Sequence, residues 1–207
     1  MNRAAHTLHV AILAFDGVEA LDLAGPYEVF TTASRMHQRQ APDDAAPFAV
    51  SCVARQHLPV RARAGMTLLP THSFADCPAV DLLVVPGGVI DGVLACPDTL
   101  AWVAATSQRA ALTASVCTGA FVLAASGVLT HGPVTTHWED IADLARQFPA
   151  LEVRTGVRWV EQGRLVTSGG ISAGIDMSLH LVSRLADLAL AERTARQLDF
   201  QWTREGG

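Results

Sequence analysis

Short, mostly apolar runs, each cut off by a breaker and followed by a helical stretch, constrain this chain more than any other feature. His9–Phe15 (HVAILAF) stops at Asp16-Gly17, Leu82–Pro86 (LLVVP) at Gly87-Gly88, and Leu112–Val116 (LTASV) at Cys117. Runs of this length with little polar alternation suit strands covered on both faces, as in a parallel sheet. Phe48–Ala54 and Pro133–His137 read as two further strands, and Val157–Gln162 with Arg164–Ser168 as a β-turn-β unit around Gly163. Between them, helices are expected at Gly25–Met36, Thr99–Arg109, Thr118–Ser126, Trp138–Gln147 and Ser172–Ala186. Pro26 suits the first turn of the earliest of these, where its missing N–H costs nothing. Strands alternating with helices imply an α/β fold, a mainly parallel sheet with helices on both faces. No repeat, low-complexity tract or linker interrupts residues 1–207, so one domain is expected.

Half of the 207 residues are apolar and 17% are charged, which is enough to bury one sizeable core. The net charge of −5, with no basic run, argues against a nucleic-acid surface. The longest apolar stretches, such as Leu82–Pro86 and Ala120–Ala125, fall far short of a membrane span of about 20 residues. The N-terminal run MNRAAHTLHVAILAFD reads as the approach to the first strand rather than as a leader. Cys52, Cys77, Cys96 and Cys117 form no C-x-x-C, so free thiols in a reducing cytoplasm are expected. The eight histidines are scattered, none beside a cysteine pair, so no metal site is expected.

Ligands of such a sheet bind outside the carboxyl ends of its strands. Asp16, Glu19 and Asp22 follow the first strand, Gly87-Gly88 the third, Cys117-Thr118-Gly119 the fourth, and His137 closes the fifth. Cys52, inside an alternating strand, reads as a small core residue, and Cys77 and Cys96 as inert loop or helix-edge residues. Cys117 differs by position. A strand-to-helix corner with a glycine behind it is the geometry of a nucleophile elbow, and the helix N-terminus would stabilise a thiolate. The N–H groups of Gly88 and Thr118 could form a two-donor oxyanion hole, or Gly87-Gly88 could be a plain turn. Asp22 reads either as a helix-start carboxylate or as a general acid/base beside the thiol. His137 reads as an orienting group or as a structural histidine. Trp138 reads as packing.

Six stretches carry a resemblance: FDGVEALDLAGPYEVF, THSFADCP, VVPGG, SVCTGAFVLAASGVL, TTHW and TSGGISAGIDMSLHL. In this order the chain resembles the DJ-1/PfpI superfamily, and within it the isocyanide (isonitrile) hydratase branch. The resemblance implies a flavodoxin-like α/β sandwich, a homodimer, and a small-molecule substrate handled without metal or organic cofactor. Cys117 matches the family's elbow cysteine, Thr118 the residue that follows it in hydratases, Asp22 the branch's active-site aspartate, and Gly88 its amide donor. Ser172 to Asp176 matches a signature before the last long helix, with no role attached. Thr118 stands where protease- and deglycase-like members carry histidine, which disfavours glyoxalase-like chemistry. The chain also resembles the N-terminal domain of AraC-type regulators, which continue into a helix-turn-helix. No basic recognition helix is expected before Gly207. Hydration of an isocyanide through a thioimidate on Cys117 is therefore the leading expectation, and a ligand- or redox-sensing domain the alternative.

Overall fold

In the computed structural model, residues 6–206 are described. The reading of residues 1–5 as other than a leader lies outside the described residues. β1 (Leu8–Leu13) leads into α1 (Ala20–Gln40) and β2 (Phe48–Ala54). Three two-residue strands follow, β3 (Val60–Arg61), β4 (Thr67–Leu68) and β5 (His72–Ser73). Next come β6 (Leu82–Val85), α2 (Asp91–Leu94), α3 (Pro97–Arg109), β7 (Leu112–Val116) and α4 (Gly119–Ala125). β8 (Gly132–Val134), a 3-10 turn at Trp138–Asp140, α5 (Ile141–Gln147) and β9 (Leu151–Val153) lie beyond them. β10 (Trp159–Gln162), β11 (Leu165–Ser168), α6 (Ala173–Leu185) and α7 (Leu188–Gln197) complete the order.

The main sheet runs β10-β11-β7-β6-β1-β2-β5, and every neighbouring pair is parallel except β10–β11. Counting only β1, β2, β6, β7 and β11, the order is 2-1-3-4-5, the flavodoxin-like arrangement, whose strand order reverses between β1 and β6. Chirality then assigns the faces. β1-α1-β2 steps one way along the sheet and β6-α3-β7 the other, so right-handed crossovers put α1 and α3 on opposite faces. Accordingly α6 and α7 pack on α1, while α2 and α4 pack with α3. The middle strands are sealed between these layers: Val10 to Leu13 and Leu82 to Val85 are fully buried.

Three expectations need correction. α1 begins at Ala20, not Gly25, so Pro26 lies inside the helix rather than in its first turn. Its missing N–H leaves the carbonyl of Asp22 without the helical donor it would otherwise have. The early start places Asp22 in the first turn. The segment expected as the fifth strand, Pro133–His137, does not join the main sheet. β8 pairs with β9 instead, and β11 occupies the place beside β7. The threonines that follow β8 bond across the end of the sheet rather than along a ladder: Thr135 N–H donates to Thr167 Oγ1 at 2.8 Å, and Thr136 Oγ1 to the carbonyl of Cys117 at 2.8 Å. Finally, the helix expected at Trp138–Gln147 is a 3-10 turn followed by α5, and a further helix, α7, follows α6.

Candidate active site

The loops after β1, β6 and β7 meet beside the reversal in strand order, and Cys117 stands at their centre. Its φ is 54°, one of two positive values among the described non-glycine residues. A left-handed residue with a Cβ costs about 1–3 kcal/mol and persists where its surroundings over-determine it. Here the amide of Cys117 donates to Ser168 O at 3.1 Å, and its carbonyl receives the Thr136 hydroxyl. Gly119 lets the turn close: a Cβ there would lie 2.1 Å from Val85 O. The elbow expected from the sequence is therefore present.

Asp22 is fully buried behind it. Its Oδ2 accepts the Gly87 N–H at 3.1 Å, whereas the buried Oδ1 has no hydrogen-bond partner. Burial, reinforced by the charge of Glu19, pushes its carboxyl up to about 7 even though the Gly87 amide opposes the shift. Burial also pushes the Cys117 thiol up to about 12, and the negative charge of Asp22 adds to the effect. Both effects oppose the thiolate that a helix N-terminus would favour. α4 has only seven residues, and the Thr118 amide cannot outweigh desolvation plus a neighbouring carboxylate. Desolvation and the charge of Asp22 both favour the protonated sulfur.

The two-donor hole is also corrected. The N–H of Gly88 is engaged by Thr118 Oγ1 at 2.9 Å, and that hydroxyl donates back to Gly88 O at 3.1 Å. Only the Thr118 backbone amide of the expected pair turns to the sulfur. The glycine pair acts by allowing close approach instead. A Cβ on Gly87 would fall 2.6 Å from both N and Oγ1 of Thr118 and 3.0 Å from Asp22 Oδ2. One on Gly88 would fall 2.2 Å from Gly17 O. Glu19 N–H to Gly87 O and Val89 N–H to Gly17 O, both 2.8 Å, complete this pinning of the loop that starts α1.

His137 caps the 3-10 turn, accepting the Glu139 N–H on Nδ1 at 3.4 Å. The same nitrogen lies 3.5 Å from Asp140 and 3.7 Å from Glu139. Its ring edge and Cys117 Sγ converge on Gly170, where a Cβ would meet them at 2.2 and 3.3 Å. Gly170 is a site residue that the sequence reading missed, although Gly169-Gly170 before a helix is the signal that marks it. The signature after it has a structural use: Asp176 is buried against Arg158 and accepts the Thr203 N–H at 2.7 Å. Over the thiol lies a cleft of about 230 Å³ whose walls include Glu19, Arg63, Val89, His137, Glu139, Asp140 and Ile171. Cys117, 8% exposed as a whole residue, is among the residues that line it. Cys52 and Cys77 stay apart from this cleft, and burial raises both thiols. Cys96 caps α3, and hydrogen bonds from Thr99 lower its thiol. Among the described residues no group of three His, Cys, Asp or Glu is placed to hold a metal ion.

A flavodoxin-ordered sheet bearing a strained cysteine elbow backed by a buried carboxylate defines a class of thiol-centred α/β proteins. The chain belongs to the DJ-1/PfpI family, whose model matches residues 8–184. It is 36% identical over 194 residues to an isonitrile hydratase of Pseudomonas putida, covering 93% of this chain and 78% of that protein. A THiJ/PfpI family protein from Pseudomonas syringae superimposes with a TM-score of 0.81 at 30% identity, over 96% of this chain and 77% of that one. The HTH-type transcriptional regulator GbdR of Pseudomonas aeruginosa is 26% identical over 201 residues, 93% of this chain and 53% of its own length. No helix of the described residues is long and apolar enough to cross a membrane.

Proposed function

We propose that this protein hydrates isocyanides, R–N≡C, to N-substituted formamides through a thioimidate on Cys117. The observation that carries the reading is the placement of Asp22: a fully buried carboxyl behind the thiol, one of its oxygens unpartnered, which burial pushes up to about 7. A group titrating near neutrality can both accept and return a proton. Because the thiol itself is raised, its proton leaves as the S–C bond forms rather than beforehand. Sγ attacks the terminal carbon while the thiol proton passes to Asp22. Asp22 then gives that proton to the same carbon, leaving Cys–S–CH=N–R. Water adds to this carbon and loses a proton to Asp22, the nitrogen is protonated, and the C–S bond breaks. The formamide R–NH–CHO departs, the sulfur recovers its proton, and one water has been consumed. The Thr118 amide steadies charge on the sulfur as that bond forms and breaks.

Loss of p-nitrophenyl isocyanide, followed by ultraviolet absorbance, tests the reading. Cys117→Ala abolishes turnover, and Asp22→Asn lowers kcat at least a hundredfold. Undiminished hydration by Cys117→Ala would end it.

A second reading, a sensing domain without turnover, is favoured by the similarity to GbdR. Oxidation of Cys117 by mild peroxide, read by mass spectrometry, without any isocyanide loss would favour it. We further propose a cytoplasmic homodimer. Leu21, Val89, Trp138 and Ile171 are all exposed, and each adjoins a site residue in the chain, which suits a second copy seated around the mouth of the cleft. Light scattering should give a dimer for the native chain and a monomer for Trp138→Glu.

A further inference from the structure

The cleft over Cys117 has an acidic rim. Glu19, Glu139 and Asp140 border it, and the unpartnered Oδ1 of Asp22 lies buried behind its floor. Two groups oppose them. Arg63 lies 3.9 Å from Glu19 with most of its side chain in solvent, and His137 lies between Glu139 and Asp140. Even with His137 protonated, three carboxylates face two cations before Asp22 is considered. The charged residues that line the cleft are thus net negative in either state of the imidazole. A partly enclosed cleft focuses such a field, so it acts on an incoming molecule before any contact forms.

We infer that this rim makes Cys117 selective for electrophiles whose remaining group is neutral or cationic, and excludes those carrying a carboxylate or other anion. The inference deepens the hydratase reading and rests on it for the substrate class alone. The charge discrimination itself belongs to the cleft, whatever chemistry the thiol performs.

Two measurements keep those statements apart. In the first, kcat/KM is compared for cyclohexyl isocyanide, isocyanoacetate and an ammonium-bearing alkyl isocyanide. The anionic substrate should be at least about tenfold poorer than the neutral one, and the cationic one equal or better. In the second, Cys117 is alkylated by iodoacetamide, iodoacetate or 2-bromoethylammonium and followed by peptide mass spectrometry. Each rate is normalised to the same chain unfolded in guanidinium, which removes the intrinsic reactivity of the reagent. Iodoacetate should again be at least about tenfold disfavoured. In Glu139→Gln the anion-to-neutral ratio should rise at least twofold, and in 0.5 M KCl it should rise further. Because the readout is a ratio, a general loss of activity in the variant cancels. Charge-selective alkylation with no isocyanide turnover removes the hydratase reading and leaves the inference standing. Equal normalised rates for iodoacetate and iodoacetamide overturn the inference, even in a protein that hydrates cyclohexyl isocyanide well.

Discussion

Asp22 and Cys117 are two acids in one dry corner, and neither can ionise without cost to the other. Folding lifts the Asp22 carboxyl from 3.8 to about 7, so the native state favours its protonated form. The stability linked to it is present in full below the unfolded pKa and is lost as the pH rises through the folded one. A shift of this size corresponds to at most roughly 4 kcal/mol. Asp22→Asn fixes the neutral form. Its stability advantage over the native chain, measured by urea unfolding, should be about 2–3 kcal/mol larger at pH 8.5 than at pH 4.5. An advantage that stays flat across that range would mean that Asp22 is not raised. The thiols give a second prediction. Iodoacetamide at pH 7 should modify Cys96, lowered by Thr99, faster than Cys117, raised by burial, although Cys117 is the residue at the elbow. The elbow was legible from a cysteine between a strand run and a helical run. The protonation state was not, because it depends on a carboxylate 95 positions away in the chain that folding brings alongside.

At the scale of elements, the site is built by loops that come close because glycine lets them. Gly87 separates Asp22 from Thr118 by the width of a missing methyl. Gly87→Ala should therefore wedge the first turn of α1 away from the elbow. We expect kcat to fall about a hundredfold, as for displacements near 1 Å at a reacting centre, with a stability loss of only about 1–3 kcal/mol. A variant that keeps its activity while losing stability would assign Gly87 to packing alone. Legibility at this scale followed the range of the interactions. β1, β2, β6, β7 and the β10–β11 hairpin are set by local pattern and were readable. The start of α1 was hidden by Gly25-Pro26, a pair that normally punctuates a chain. α7 was missed despite Asp187, whose side chain caps it by accepting the Leu190 N–H at 2.7 Å. β8 could not be assigned correctly from its own residues, because nothing in GPV distinguishes β9 from β7 as a partner.

Across the whole molecule, the two helical layers follow from chain direction and handedness. The alternation in the sequence implied a mainly parallel sheet covered on both faces, whereas the flavodoxin-like arrangement came only from the family resemblance. What the alternation could not supply was the fastening between distant segments, and one such fastening reaches the site. Arg158, just before β10, pairs with buried Asp176 in the first turn of α6, and its Nη2 donates to Ser172 Oγ at 3.2 Å. The Arg158 amide donates to Gly206 O at 2.7 Å, and Trp202 Nε1 donates to Asp176 O at 3.2 Å. The clamp thus holds the C-terminal segment, β10 and the start of α6 together. It thereby fixes the Gly169–Ser172 turn that brings Gly170 against Cys117 and His137. Removing the cation strands a carboxylate that is almost fully buried, which costs about 3–5 kcal/mol in sealed pairs and less where the arginine is partly solvated. Arg158→Ala should lose about 2–4 kcal/mol and, through the loosened turn, slow turnover of p-nitrophenyl isocyanide. Adding Asp176→Asn to that variant should return at least about 1 kcal/mol, since a neutral amide no longer leaves a charge unpaired. Losses that simply add in the double variant would show that the two side chains act independently, and the clamp would then not be what positions Gly170.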